Sequence, residues 1–142
     1  MTTHNDSVTE MSEAQAWELL SGTVFGRLAV SVDNQPEIFP LNVHVDDRTI
    51  LLRTAEGTKL SSLAVNERVC FETDAFTSRV GWSVIAKGSA HILTGTDEIA
   101  EADQAPLRPW IPTLKTIYVR ITVDEISGRR FTIGPEPDRV IS

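Results

Sequence analysis

Apolar and polar positions alternate with a period near two over most of this chain, and only a few short stretches depart from it. SEAQAWELL, from Ser12, instead carries apolar residues at Ala16, Leu19 and Leu20, which is helical spacing. Ser12 and Gln15 stand at capping-box distance, and Gly22 supplies the stop. VFGRLAVSV (24–32) and EIFPLNVHV (37–45) read as two strands joined by the polar turn DNQP (33–36). Pro40 inside the second run predicts a bulge or a sheet edge, because proline gives no N–H to a ladder. Asp46–Asp47 makes a turn into a third strand, RTILLRT (48–54). AEG (55–57) is a loop, and TKLSSLAVN (58–66) returns to helical spacing at Leu60, Leu63 and Ala64.

Two further strands follow, RVCFETD (68–74) and the long VGWSVIAKGSAHIL (80–93), where Gly88 marks a bulge or bend. TDEIAEAD (96–103) predicts a short helix capped by Thr96, and QAPLRPWIP (104–112), with three prolines, a structured loop. IYVRITVDEISGRRFTI (117–133) reads as a last strand pair or one bent strand. The expected fold is therefore mainly β: six or so strands with two or three short helices in a closed antiparallel barrel, which leaves no strand edge bare. One domain at 12–134 is expected between an N-terminal tail (1–11) and a C-terminal tail (135–142).

Composition narrows the function classes. With 13 Lys and Arg against 20 Asp and Glu, the net charge of −7 argues against a general nucleic-acid binder, which needs a basic field. It leaves room for one local anion pocket. The single cysteine, Cys70, rules out an internal disulfide and a cysteine-rich zinc site. No apolar stretch reaches membrane-spanning length and the first residues lack the pattern of a signal peptide, so a cytoplasmic chain without a membrane partner is expected.

The candidate chemistry sits in RTAEGTKL (53–60). Arg53, Thr54, Gly57, Thr58 and Lys59 bring two cations, two hydroxyls and a glycine to a strand end and a helix start. A phosphate is held by such groups: charge-assisted donors, close backbone N–H groups and the positive end of a helix dipole. The glycine spacing is not that of a P-loop. The same residues also fit a solvated loop with a helix cap at Thr58.

In order along the chain, GRLAV (26–30), PEIFPLNV (36–43), LLRTAEGTKLSSLAVNERVCFETD (51–74), GWSVIAKGSAHIL (81–93), RPWIP (108–112) and ISGRRF (126–131) resemble the pyridoxamine 5′-phosphate oxidase-like, flavin-binding split-barrel proteins. The resemblance implies a six-stranded antiparallel split β-barrel with a few short helices, and a homodimer of it with two flavin sites at its interface and a small-molecule substrate. Phe39, Pro40, Leu41 and Asn42 would then lie along the flavin ring, and Arg53, Thr54, Thr58 and Lys59 would hold the phosphate of FMN. Trp82 and Ser83 would approach the ring from the second subunit, with Trp110 over the site or lining the substrate space. The arginine- and histidine-rich substrate signature of the vitamin-making oxidase is absent near the C-terminus, where ISGRRF keeps only Arg129 and Arg130. The implied activity is an FMN-dependent oxidoreductase of unspecified substrate. A deazaflavin-dependent reductase is the alternative within enzymes, and a non-catalytic flavin carrier or sensor the alternative outside them. A haem-binding relative would need an axial ligand that neither His44 nor His91 is placed to give.

Plainer roles compete for the remaining residues. Trp17, Trp82 and Trp110 suit packing, His44 and His91 suit satisfied structural positions, and Cys70 between Val69 and Phe71 suits a buried, inert thiol. No Ser–His–Asp or Cys–His set has local support, as fits a protein whose cofactor carries the redox step.

Overall fold

A computed structural model describes residues 7–55, 57–107 and 117–134, with the side chains of residues 58–60 outside that description. Its elements, in chain order, are β1 (Val8–Glu10), α1 (Glu13–Ser21), β2 (Phe25–Val32), β3 (Gln35–Asn42), β4 (His44–Asp46), β5 (Thr49–Thr54), α2 (Thr58–Val65), β6 (Arg68–Phe76), β7 (Val80–Ile92), α3 (Thr96–Asp103) and β8 (Ile117–Thr132). All strands join one antiparallel sheet of order β3-β2-β6-β7-β8-β5-β4, with β1 paired to β8.

The sheet curls because its two outermost strands are consecutive in the chain. β3 lies at one edge and β4 at the other, and only Val43 separates them. Val43 is 2% exposed and its N–H donates to the Val24 carbonyl at 3.0 Å. The run expected as a single strand over 37–45 is thus broken at Val43, its halves handed from one sheet edge to the other. Counting β3 and β4 as one broken strand, the barrel has the six strands expected, and β1 is an addition to them. β1 also corrects the N-terminal tail at residues 8–10: Val8, Thr9 and Glu10 pair with Phe131, Arg130 and Arg129. Pro40 stands on the edge strand β3, opposite Arg27, where its missing N–H costs no ladder bond.

Local chemistry explains the turns. The β2–β3 hairpin turns at Asp33 and Asn34, and the β4–β5 hairpin at Asp47 and Arg48, all four with positive φ. Such two-residue turns match the right-handed twist of the strands they join. The second turn lies one residue later than Asp46–Asp47. Arg48 is an unusual residue for this conformation, and its guanidinium rests over the Trp17 ring at 4.7 Å, which ties α1 to the hairpin. In α1, Ser12 Oγ accepts from the Gln15 N–H at 3.2 Å and Gln15 Oε1 accepts from the Ser12 N–H at 3.0 Å, the reciprocal cap read from the sequence.

β7 and β8 form the longest pairing, and residues 117–132 are one strand rather than two. The register slips between Lys87 and Gly88: Lys87 faces Glu125 and Gly88 faces Val123, so Asp124 is the extra residue of a bulge. A Cβ on Gly88 would collide with the Thr122 carbonyl, so only glycine lets the strands approach here. The barrel interior is packed by Leu20, Leu28, Ile50, Leu52, Phe71, Val84, Val119 and Ile121, each fully buried. A second, smaller core lies outside the barrel wall, where α3 covers Leu51, Leu93 and Tyr118 with Ala102 and Leu107.

Candidate functional site

Strand register decides which of the expected site residues meet. Alternation puts Thr49, Leu51 and Arg53 on the outer face of β5, while Ile50 and Leu52 join the barrel core. The β4–β5 pairing sets His44 opposite Leu51 and ends there, at the break at Val43. On the other side Arg53 faces Tyr118 of β8. Arg53 and Tyr118 therefore stand side by side on the outer surface, and Asn42, paired with Phe25, ends β3 on the far side of the break. Arg53 is half-buried there, with its guanidinium over the Tyr118 ring at 5.7 Å. The Tyr118 hydroxyl donates to Asp103 Oδ1 at 2.5 Å, and burial together with this carboxylate pushes the phenol pKa up. A neutral tyrosine is thus fixed under the guanidinium and holds its plane.

β5 ends at Thr54, whose hydroxyl donates to the Ala55 carbonyl at 3.1 Å, and α2 begins at Thr58. Gly57 is the N-cap and brings no side chain to the first turn. Among the described residues no heavy atom lies within 4 Å of the point where a Cβ on Gly57 would stand, so the helix start is open to a ligand. The free N–H groups of a helix start carry partial positive charge, which suits an anion. The side chains of Thr58 and Lys59 lie outside the described residues, as does Trp110.

The strand expected along the flavin ring reaches the same corner. Phe39 packs on the barrel core and Leu41 is buried, so these two face inward. Pro40 is exposed and Asn42 half-buried, and they face outward with Arg53. Only the outward pair and the backbone of the expected four-residue stretch are therefore available to a ligand on this surface; Phe39 and Leu41 serve as packing.

Trp82 and Ser83 lie elsewhere. They pair with Arg130 and Arg129 of β8, whereas Arg53 pairs with Tyr118, eleven residues before Arg129. At about 3.3 Å per residue that is on the order of 35 Å of strand. Trp82 points inward and packs against the barrel core. Ser83 points outward and lines a shallow depression of about 200 Å³ with Arg129 and Phe131.

Other candidates fall into structural roles. His44 and His91 share a row, but Leu51 and Arg120 stand between them, so they are not a ligand pair. No group of three or more metal-ligating side chains occurs among the described residues. Cys70 differs from its expected burial: it alternates with the buried Val69 and Phe71, sits on the outer face, and is half-buried. That partial burial still raises its thiol pKa, against the pull of Lys87. Beside it, Arg27 reaches Glu72 at 2.9 Å and Asp74 at 3.2 Å. Burial, then the hydrogen bond with Asp74, raises the Glu72 pKa. Among the described residues no helix is long and apolar enough to cross a membrane. Tyr118, Asp103 and Arg120 are the residues that sequence reasoning passed over. The alternation in IYVRITV, which sets Tyr118, Arg120 and Thr122 on one face, was the signal for two of them.

Known proteins share this fold. The family model for pyridoxamine 5′-phosphate oxidase matches residues 12–130. The uncharacterized protein Rv3129 of Mycobacterium tuberculosis is 50% identical over 95 residues, 67% of this chain and 86% of that protein. A Corynebacterium glutamicum structure named for pyridoxamine 5′-phosphate oxidase is 41% identical, covering 94% of this chain and 100% of that one, with a TM-score of 0.80. The FAD binding protein of Mycobacterium smegmatis is 44% identical over 89% of this chain and 100% of its own, with a TM-score of 0.77. With a family match running from α1 to the end of β8, and a barrel that superposes on those relatives, this chain belongs to the pyridoxamine 5′-phosphate oxidase family.

Proposed function

We propose that this protein binds a flavin nucleotide through its phosphate at the corner formed by β3, β5 and the start of α2, and that it works as a homodimeric oxidoreductase on a small molecule. The observation that carries the reading is the pair Arg53–Tyr118 at the end of β5, which runs on to an uncapped helix start. It sets a guanidinium over an aromatic ring, 5.7 Å from its centroid, in the same strand-to-helix passage as free backbone donors, a donor set suited to a phosphate dianion. Thr54 adds a hydroxyl at the strand end, and Thr58 and Lys59 follow in the chain. The FAD-binding relative supports a flavin as the nucleotide, and the phosphate cradle is common to FMN and FAD.

When bound, a flavin supplies hydride transfer, and the protein supplies orientation and a dry, charged pocket. Here Arg53 neutralises the phosphate, and the backbone of Pro40 and Asn42 offers donors and acceptors along the ring. The outward Ser83 of a second copy completes the site, since on its own chain it stands at the far end of β8 from Arg53, while Trp82 supports it from the core side.

The test is direct. Protein purified without added cofactor, or reconstituted with FMN or FAD, should show flavin absorbance, and mass spectrometry of the released ligand identifies the nucleotide. Arg53→Ala should weaken flavin binding by about 1.5–3 kcal/mol, the worth of one charge-assisted contact. Unchanged affinity in that variant, or no flavin uptake by the wild-type protein, refutes the proposal.

A further inference from the structure

α3 lies outside the barrel wall, yet its last residue is tied to the proposed phosphate corner through one side chain. Asp103 ends α3, and its Oδ1 accepts from the Tyr118 hydroxyl at 2.5 Å. Tyr118, 6% exposed, packs in the small core with Leu51, Leu93, Ala102 and Leu107. The Arg53 guanidinium lies over the tyrosine ring at 5.7 Å, and strand register sets the two residues opposite each other. A carboxylate, a phenol ring and a guanidinium thus follow one another from α3 to the end of β5. Resting on the flavin reading above, we propose that Asp103 is a positioning residue: through Tyr118 it holds the Arg53 guanidinium in place for the phosphate, so that α3 sets the affinity for the nucleotide by way of the barrel wall.

The helix alone does not account for Asp103. The last turn of α3 holds no basic residue and carries both Glu101 and Asp103, although carboxylates at a helix C-terminus oppose the helix dipole. Asp103 is exposed, so burial does not recruit it either. What its carboxylate gains is a charge-assisted hydrogen bond from a buried ring. Core packing asks only for that ring; the hydroxyl is what reaches α3. The bond has two consequences for Arg53. It fixes the tilt of the ring, and a guanidinium seated on a fixed face gives up less freedom when it takes a phosphate. It also draws negative charge onto the phenol, which strengthens the pull of the ring face on a cation. Burial, and then the hydrogen bond with Asp103, push the phenol pKa up, so the hydroxyl keeps its proton and goes on donating through the neutral range.

The experiment titrates the full-length apoprotein with FMN and with FAD, for the wild type and for Asp103→Ala, Tyr118→Phe and Arg53→Ala, alone and in pairs. Asp103→Ala and Tyr118→Phe should each weaken the flavin that binds by about fivefold, and together by no more than either alone, because both remove the same bond. In an Arg53→Ala background neither should change the affinity by more than about twofold, since the guanidinium they position is gone. A purely structural tie would lower the thermal midpoint, yet its effect on affinity would not depend on residue 53. Equal losses with and without Arg53 therefore overturn the inference, as does wild-type affinity in both single variants. The flavin reading survives either result as long as Arg53→Ala itself weakens binding. Unchanged affinity in Arg53→Ala, or no flavin uptake by the wild type, overturns both. Thermal melts confirm that each variant folds, and because Asp103 is exposed, Asp103→Ala decides the question alone if Tyr118→Phe does not fold.

Discussion

If the site is shared between two chains, two defective chains should repair one another. The first defect is Arg53→Ala, which empties the phosphate corner; the second is Ser83→Trp, which fills the outer face of β7 where the other end of the molecule would close over the ring. The geometry makes the defects independent. Arg53 and Ser83 are tied to β8 at Tyr118 and Arg129, on the order of 35 Å apart along the strand. Arg53 is half-buried and stacked on Tyr118, so its loss should cost about 1.5–3 kcal/mol, or roughly ten- to a hundredfold in affinity. Ser83 lines a depression of about 200 Å³ that an indole would occupy. Each homodimer alone should therefore hold little flavin. In a heterodimer, isolated with two different affinity tags, one site combines both defects and the other has none. Its flavin content should be about half that of the wild type, one intact site in two. The assay is bound flavin per dimer by absorbance after gel filtration. A heterodimer as empty as its parents would mean that Arg53 and Ser83 of the same chain build each site, and the reasoning from strand register would be wrong. Full occupancy in the Ser83→Trp homodimer would refute it equally.

Two further outcomes test the scaffold. Gly88→Ala should destabilise the protein by about 1–3 kcal/mol, because its Cβ falls on the Thr122 carbonyl at the bulge and one strand must move; a thermal midpoint within about a degree of wild type would show that the bulge can open without cost. Glu72 should make stability fall as pH rises: its carboxyl pKa is raised in the folded state above the ordinary 4.5, so the native protein keeps this proton after the unfolded chain has lost it, and the contribution disappears as pH climbs from the ordinary value through the raised one. Glu72→Gln should flatten that part of a denaturation-midpoint profile, and an unchanged slope would assign it to another group.

What could be read from the sequence was whatever depends on neighbours a few residues apart. The Ser12–Gln15 cap, the helical spacing of α2 and α3, the bulge at Gly88 and the edge position of Pro40 are local, and each is found in the fold. The break at Val43 was not legible. EIFPLNVHV alternates smoothly, and only the demand that a curled sheet join its own two edges makes the chain change partners there. β1 was missed because VTE is short and polar; its order comes from β8, whose Phe131, Arg130 and Arg129 give it a ladder. The site divides in the same way. Arg53 and Thr54 were found from local composition. Arg120 was not, because it becomes a neighbour of Arg53 only when β5 lies against β8.

The net charge of −7 opposes an anion site only while charges are counted without regard to place. Arg27 is held by Glu72 and Asp74, Arg68 by Asp124, and Lys87 by Glu125 at 3.5 Å. These cations lie on β2, β6 and β7 and their acids on β6 and β8, so that acid and base neutralise each other across the ladder. Arg53 and Arg120 stand apart from them, on β5 and β8 under α3, one over a tyrosine ring and the other in a groove. Two guanidiniums thus share the outer surface of β5 and β8, about 7 Å apart in strand register, and put positive potential beside the proposed phosphate corner. The acidic total then acts on specificity: it repels stray polyanions from the rest of the surface and leaves this strip as the place where an anionic ligand gains.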